Sequence, residues 1–223
     1  MVDFKKHLKK KKTMVWIQGS MGSGKTTQVK MLIDALTEGD IEPKVITDTK
    51  VYYTVYDSGI CALGKIGKNQ CTGLDSVYSQ LGADGVCNTL KHALDDDETE
   101  IILVDCAFAT ISWYNKWIAA GLRDKFKLLA IHLELDEWEN YKRISQRKAK
   151  KAGIEEWWDI HLPDTVYKNV GSKNRETRNI YHKLEGSHPK KCDILADAPI
   201  QIRATMPPKV IHKKILNHIA KHL

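Results

Sequence analysis

The chain has 223 residues, 42% of them hydrophobic, with a net charge of +7 and a sequence pI of about 9.0. That length and apolar content suit one α/β domain, residues 1–223, with a full core. No apolar run approaches membrane-spanning length, and the lysines at the N-terminus have no apolar segment behind them, so neither a membrane span nor a secretion signal is expected.

A basic balance favours anionic partners, nucleotides first and nucleic acid second, although phosphate-handling enzymes are often basic anyway. Cysteines stand at 61, 71, 87, 106 and 192, an odd number with no C-x-x-C pair. They read as reduced thiols of a cytoplasmic protein. His182, His188 and Cys192 match no standard zinc spacing.

Residues 1–12, MVDFKKHLKKKK, form a lysine-rich leader. It is expected either to touch a phosphate backbone or to be a solvated tail. Met14 to Ile17 reads as a buried strand. The chain then turns through Gly19-Ser20-Met21-Gly22-Ser23-Gly24-Lys25-Thr26, and a helix runs from Thr26 to Leu36, ending near Gly39. Strand, glycine loop and helix fit G-x-x-x-x-G-K-[ST]. Gly19, Gly22 and Gly24 let several backbone N–H groups turn inward with no Cβ in the way. Those groups, from Gly19 to Thr27, and the positive helix end would cradle a polyphosphate. Lys25 would reach the outer phosphates, and the Thr26 hydroxyl would ligate Mg²⁺. ATP with Mg²⁺ is therefore the expected cofactor pair.

Pro43 opens a second strand, Lys44 to Thr47, ending at Asp48 and expected to lie next to the glycine loop, where an acceptor would bind. Residues 49–75 carry Tyr52, Tyr53 and Tyr56 and then a glycine-rich, aperiodic run, read as an acceptor-site insertion. Asp75 or Ser76 caps a helix to about Leu94, and Asp95-Asp96-Asp97-Glu98 reads as an acidic solvated turn. Ile101 to Val104 is a buried strand with Asp105 at its end, placed like a metal-side carboxylate. A helix over Ile111 to Arg123 and a strand over Lys127 to Leu135 follow. Asp136 then caps a helix through Lys151 that carries Arg143 and Arg147 on one face.

Residues 154–190 are polar and basic, broken by Pro163, Gly171 and Gly186, with Trp157, Trp158, Arg175 and Arg178. Residues 143–190 are the expected lid region. A strand over Ile200 to Ala204 and an amphipathic helix over Pro208 to His222 close the chain. Alternating strands and helices require a mostly parallel sheet covered on both faces, with ligands at the carboxyl ends of the strands.

Phosphoryl transfer needs alignment and charge neutralisation. Lys25, Thr26 and Asp105 meet that need on the nucleotide side. Arg143 and Arg147 are candidates to swing over the transferring group, and Arg175 and Arg178 are a second pair in the lid. Asp48 is the candidate general base, which an alcohol acceptor needs and a phosphate acceptor does not.

On the glycine loop, the Asp105 strand, the Arg143/Arg147 helix and the closing strand and helix, the chain resembles the P-loop kinase superfamily, which includes nucleoside monophosphate kinases and polynucleotide kinases. The resemblance implies a five-stranded parallel sheet with helices on both faces and a kinase-like lid. Asp48 is similar to the general base of 5′-hydroxyl polynucleotide kinases. The insertion and basic lid look like those of phage kinases that phosphorylate 5-hydroxymethyluracil within DNA, which would place the protein in a host cytoplasm. The resemblance thus implies transfer of the γ-phosphate of ATP to a hydroxyl on DNA. A kinase of a free nucleoside or nucleoside monophosphate is the alternative, and a motor-like NTPase is a third reading. The sequence is silent on oligomeric state.

Overall fold

The first strand, β1 (Lys12–Gly19), is buried from Thr13 onward, and neighbours flank it on both sides. A strand so enclosed must be apolar on both faces, as Met14-Val15-Trp16-Ile17 is. The computed structural model describes residues 11–37, 44–48, 51–56, 58–66, 71–106, 111–160, 162–187 and 195–223. After β1 come α1 (Lys25–Leu36), β2 (Lys44–Asp48), β3 (Val51–Tyr56), β4 (Ile60–Leu63), β5 (Lys65–Ile66) and β6 (Cys71–Thr72). Next are α2 (Leu74–Asp95), β7 (Ile101–Cys106), α3 (Ile111–Ala119), β8 (Phe126–Glu134) and α4 (Glu137–Ala152). The chain closes with α5 (Asp164–Glu185), β9 (Ala198–Arg203) and α6 (Pro208–His222).

The described strands form a seven-stranded sheet in the order β2-β3-β4-β7-β1-β8-β9, with β5 and β6 a separate small ribbon. From β4 to β9 every neighbouring pair is parallel. The hairpin β2–β3 is added antiparallel to β4. The fold is thus α/β with a mixed, mostly parallel sheet. The expected five parallel strands correspond to β4-β7-β1-β8-β9, which reach one edge of the sheet, and the hairpin is an addition at the other.

Successive residues of a strand face opposite sides, and the core divides accordingly. Met14, Trp16, Ile102, Val104, Leu128 and Ala130 pack with Trp113, Trp117 and the inner faces of α2 and α5. Val15, Ile17, Leu103, Leu129 and Ile131 pack with α1 and α6.

Three expectations are corrected. The first is that the strand ending at Asp48 does not lie next to the glycine loop: β1 is flanked by β7 and β8, and the next strand beyond β7 is Ile60–Leu63. Asp48 ends the outermost strand, four positions from β1, which is about 19 Å across the sheet at the usual strand spacing. The second is that much of 49–75 is not an irregular insertion. It supplies β3 and β4, the latter fully buried. The third is that Gly171 does not break the lid region, since α5 runs unbroken for 22 residues. A Cβ on Gly171 would stand 3.1 Å from the Glu137 carboxylate, so the glycine lets α5 approach α4 closely. That tertiary contact overrides a local cost of about 1 kcal/mol.

Smaller differences concern boundaries. Lys12 belongs to β1 rather than to the leader, and its ammonium donates to the carbonyls of Ala93 and Asp96 at the end of α2. The rest of the leader, except Lys11, lies outside the described residues. α3 stops at Ala119, and a short turn of helix, Arg123–Lys125, leads into β8. α2 contains a non-helical residue, Gly82 (φ 66°, ψ −167°), where it kinks. Among the described residues, no helix is long and apolar enough to cross a membrane.

Candidate nucleotide and acceptor site

The glycine loop leaves the carboxyl end of β1 and closes on α1. Gly19 has φ 156°, and a Cβ there would lie 2.6 Å from Ser23 Oγ and 2.7 Å from the Leu133 carbonyl oxygen. Only glycine fits that crossing. Gly24 caps α1 in the left-handed conformation (φ 91°) with no side-chain hydrogen bond of its own. The first N–H groups of α1 are therefore available to an anion.

Lys25 is 8% exposed, and its ammonium donates to the Ser20 carbonyl oxygen at 2.9 Å. Burial pulls its pKa below the ordinary lysine value, opposed by the carboxylates of Asp105 and Asp75. Thr26 Oγ1 donates to Asp105 Oδ2 at 2.5 Å. Burial pushes the Asp105 carboxyl above the ordinary range, against the Lys25 charge and the Thr26 hydrogen bond. The two predicted metal-side oxygens therefore touch. A hydroxyl beside one carboxylate suits Mg²⁺, which prefers oxygen and fills its remaining positions with water and phosphate. Among the described residues no group of three or more His, Cys, Asp or Glu could cage an ion.

Helix α4 is started by Asp136, whose carboxylate accepts from the Glu139 N–H at 2.7 Å. The helix directs Arg143 onto the loop. Its guanidinium donates to the Gly22 carbonyl at 3.2 Å and the Ala204 carbonyl at 2.8 Å, and pairs with Glu139 at 3.0 Å. Arg147, one turn on, is exposed, and its charge still reaches Lys25. Asn140 is fully buried and donates to both Ser20 Oγ (2.5 Å) and Asn174 Oδ1 (2.9 Å), tying the loop to α5. Arg175 and Arg178 are exposed on α5. Arg178 lies 3.8 Å from the Glu134 carboxylate. The side chain of Asp48 falls outside the described residues.

Two features went unread in the sequence. The first is the start of α2. A Cβ on Gly73 would fall 2.2 Å from the Asp105 carbonyl oxygen, so the chain runs directly against the end of β7. Asp75, the next residue but one, is thereby brought to the site. It accepts from Cys106 Sγ at 3.1 Å, and its charge acts on both Lys25 and Asp105. In the sequence Asp75 looks like a helix-cap residue, and its distance from the glycine loop along the chain hides the contact. Gly73→Ala should force β7 and α2 apart. The expected cost is about 3 kcal/mol, the upper end of the usual overpacking range, or a fall in Tm of roughly 6–12 °C. An unchanged melting curve would contradict the close approach.

The second feature is a polar row across the sheet. Cys106, Gln18 and His132 are register neighbours on β7, β1 and β8, on the face that packs α2, α3 and α5. Gln18 is 1% exposed, and neither amide atom has a hydrogen-bond partner among the described residues. Polar residues are unexpected in central parallel strands, and buried polar atoms without partners call for an explanation. His132 is stacked on Tyr181, with centroids 5.1 Å apart. Burial lowers its pKa to about 4, with the positive charge of Arg178 adding to the shift.

An unfolded histidine takes up its proton near pH 6.5, whereas His132 in the fold resists until about pH 4. Between those values the unfolded chain holds more protons, so acidification destabilises the fold by about 3 kcal/mol. The nucleotide-free protein should lose stability from pH 6.5 to 4, and His132→Gln should flatten that slope in denaturant titrations. An equal slope in the variant would contradict the assignment.

The sequence matches no known protein family and no curated protein. Among solved structures it is similar to a deoxyadenosine kinase from M. mycoides with the products dCMP and a flexible dCDP bound. That likeness has 15% identity and a TM-score of 0.44, covering 94% of this chain and 100% of that chain. The structure of deoxyadenosine kinase from M. mycoides with dATP bound gives 13% identity and a TM-score of 0.48, with 93% and 98% covered. A fungal RNA kinase gives 14% identity and a TM-score of 0.49, with 94% and 84% covered. Likenesses this distant leave the functional reading to rest on the site itself.

Proposed function

We propose that the protein is an ATP- and Mg²⁺-dependent phosphotransferase that moves a γ-phosphate onto a hydroxyl of a nucleic acid. The observation that carries this is the meeting of Lys25, the Thr26–Asp105 pair, Arg143 and Asp75 around one glycine loop. Loop amides and the Lys25 ammonium hold the phosphate tail. Thr26 and Asp105 would hold the metal, which when bound would neutralise phosphate charge. Arg143 must release the Gly22 or Ala204 carbonyl to reach a phosphate, and Arg147 is the second cation of that helix.

Asp75 is the better-placed base. The acceptor hydroxyl gives its proton to the Asp75 carboxylate as its oxygen bonds to the γ-phosphorus. The bond from that phosphorus to the bridging oxygen breaks, and ADP leaves. Asp48 is the rival for this role. Gln18 supports a nucleobase on the acceptor, because an amide offers a donor and an acceptor side by side, as base edges require. Arg175 and Arg178 are proposed to neutralise charge as α5 settles over the site. The finest reading of the acceptor, 5-hydroxymethyluracil in DNA, rests on the sequence resemblance alone.

Incubation with γ-labelled ATP and three acceptors tests the reading: DNA carrying 5-hydroxymethyluracil, unmodified DNA and free mononucleosides or mononucleotides. Label on modified DNA is the expected result. Label only on the free species would move the acceptor to the alternative class, and DNA-stimulated hydrolysis without product would favour the motor reading.

A further inference from the structure

The far edge of the sheet carries a groove that the site above does not use. β9 is an outer strand, paired only with β8 among the described residues. Between it and α6 lies an open groove of about 610 Å³, whose polar lining includes Gln201, Arg203, Lys214, Asn217, His218 and Lys221. Its lining contains three fixed cations and no carboxylate. Lys214 and Lys221 are one heptad apart on α6, both exposed, about 10 Å along the helix axis. Arg203 also lines an adjoining pocket of about 270 Å³ with Arg178 and Thr205, where Glu134 and Asp136 are the acidic members. The cations thus continue from the groove to α5, the helix that Asn174 ties to the glycine loop.

We propose that this groove is a track for the sugar–phosphate backbone of the acceptor strand, leading away from the catalytic centre around the β9 edge. Asn217 and Gln201 add neutral donors suited to phosphate and sugar oxygens, which receive most protein–DNA hydrogen bonds. The aromatic cluster of exposed Trp138 and Trp158 with half-buried Trp157 between them is the rival surface. It is flanked by Glu155, Glu156 and Asp159, the wrong sign for a phosphate chain. A simpler role for cations on an outer strand is to deter edge-to-edge pairing, and the experiment separates the two.

The inference rests on the nucleic-acid acceptor reading, so DNA binding is measured apart from phosphotransfer. The probe is an end-labelled, single-stranded DNA of roughly 15 nucleotides, followed by fluorescence anisotropy across about 50–200 mM salt. Each lost phosphate contact lowers the salt slope by about 0.7 and the affinity at 0.1 M salt by about fivefold. Lys214→Ala with Lys221→Ala should therefore weaken binding roughly 20-fold and cut the slope by about 1.4. Lys148→Ala with Lys150→Ala, exposed on α4, removes the same charge and should change affinity less than about twofold if net charge alone matters little.

Equal losses in both pairs, or no loss in the first, would overturn the track. So would tight binding of polyglutamate through Lys214 and Lys221 with no binding of DNA. DNA held through the groove with no phosphate transferred would sustain the track while removing the kinase reading.

Discussion

Replacing Lys25 with methionine should abolish phosphotransfer while leaving the chain folded. The ammonium is buried, and in the nucleotide-free protein it donates to the Ser20 carbonyl. Removing one donor that meets developing charge costs about 10²–10³ in kcat, and Lys25 carries a full charge, so a loss at or beyond the upper end is expected. Stability should behave differently. Burial holds the Lys25 pKa below its ordinary value, which means the fold bears a desolvation cost to keep that charge inside. Methionine relieves that cost but also takes the counter-charge from the buried Asp105 carboxylate, and the two effects oppose each other. The unfolding midpoint of Lys25→Met in the absence of nucleotide should therefore fall far less than turnover does. Turnover within tenfold of the parent would remove Lys25 from the chemistry. Collapse of the fold would mean that its role is structural.

Asp75→Asn should lower kcat by about 10²–10⁴, the usual worth of a positioned base for an alcohol, while leaving ATP affinity within a few-fold. Asp75 is the carboxylate whose charge reaches Lys25 and Asp105 and whose oxygen meets Cys106. Asn keeps the shape and an acceptor oxygen but cannot take the proton. Asp48→Asn is the matched comparison. Asp48 ends the outermost strand, so its substitution should leave kcat within about threefold, far short of a base's worth. The reverse pattern would return the base to Asp48. A loss of ATP affinity in Asp75→Asn equal to its loss in turnover would assign Asp75 to nucleotide binding instead.

The geometry around the glycine loop was legible because it is local. The glycine loop, Lys25 and Thr26 are contiguous, and their chemistry follows from spacing alone. Asp105 was readable because a run of four apolar residues before it marks a buried strand pointing at the ligand end of the sheet. Arg143 was readable from a strand followed by a capped helix. The rest of the candidate site was not legible in the same way. Ile60–Leu63 is a four-residue strand between glycines, with no alternation, and it yielded to the longer, more regular Lys44–Asp48 as the apparent second strand. That exchange placed Asp48 beside the glycine loop, whereas its strand is the outermost of the sheet. Asp75 and Gln18 reach the site through tertiary contacts, one through the Gly73 approach and one through register with Cys106 and His132. No spacing rule encodes either contact. The lid was read as broken because Gly171 disfavours a helix, whereas packing against Glu137 reverses that preference.

The most direct measurement is a crystal structure of the protein with a non-hydrolysable ATP analogue and magnesium. The β- and γ-phosphates should lie on the amides of Gly22 to Thr26 beside Lys25, with the ion against Thr26 and Asp105 and the Asp75 carboxylate facing the γ-phosphorus. A nucleotide bound elsewhere, or a γ-phosphate turned away from Asp75 with Lys25 still on Ser20, would contradict the account.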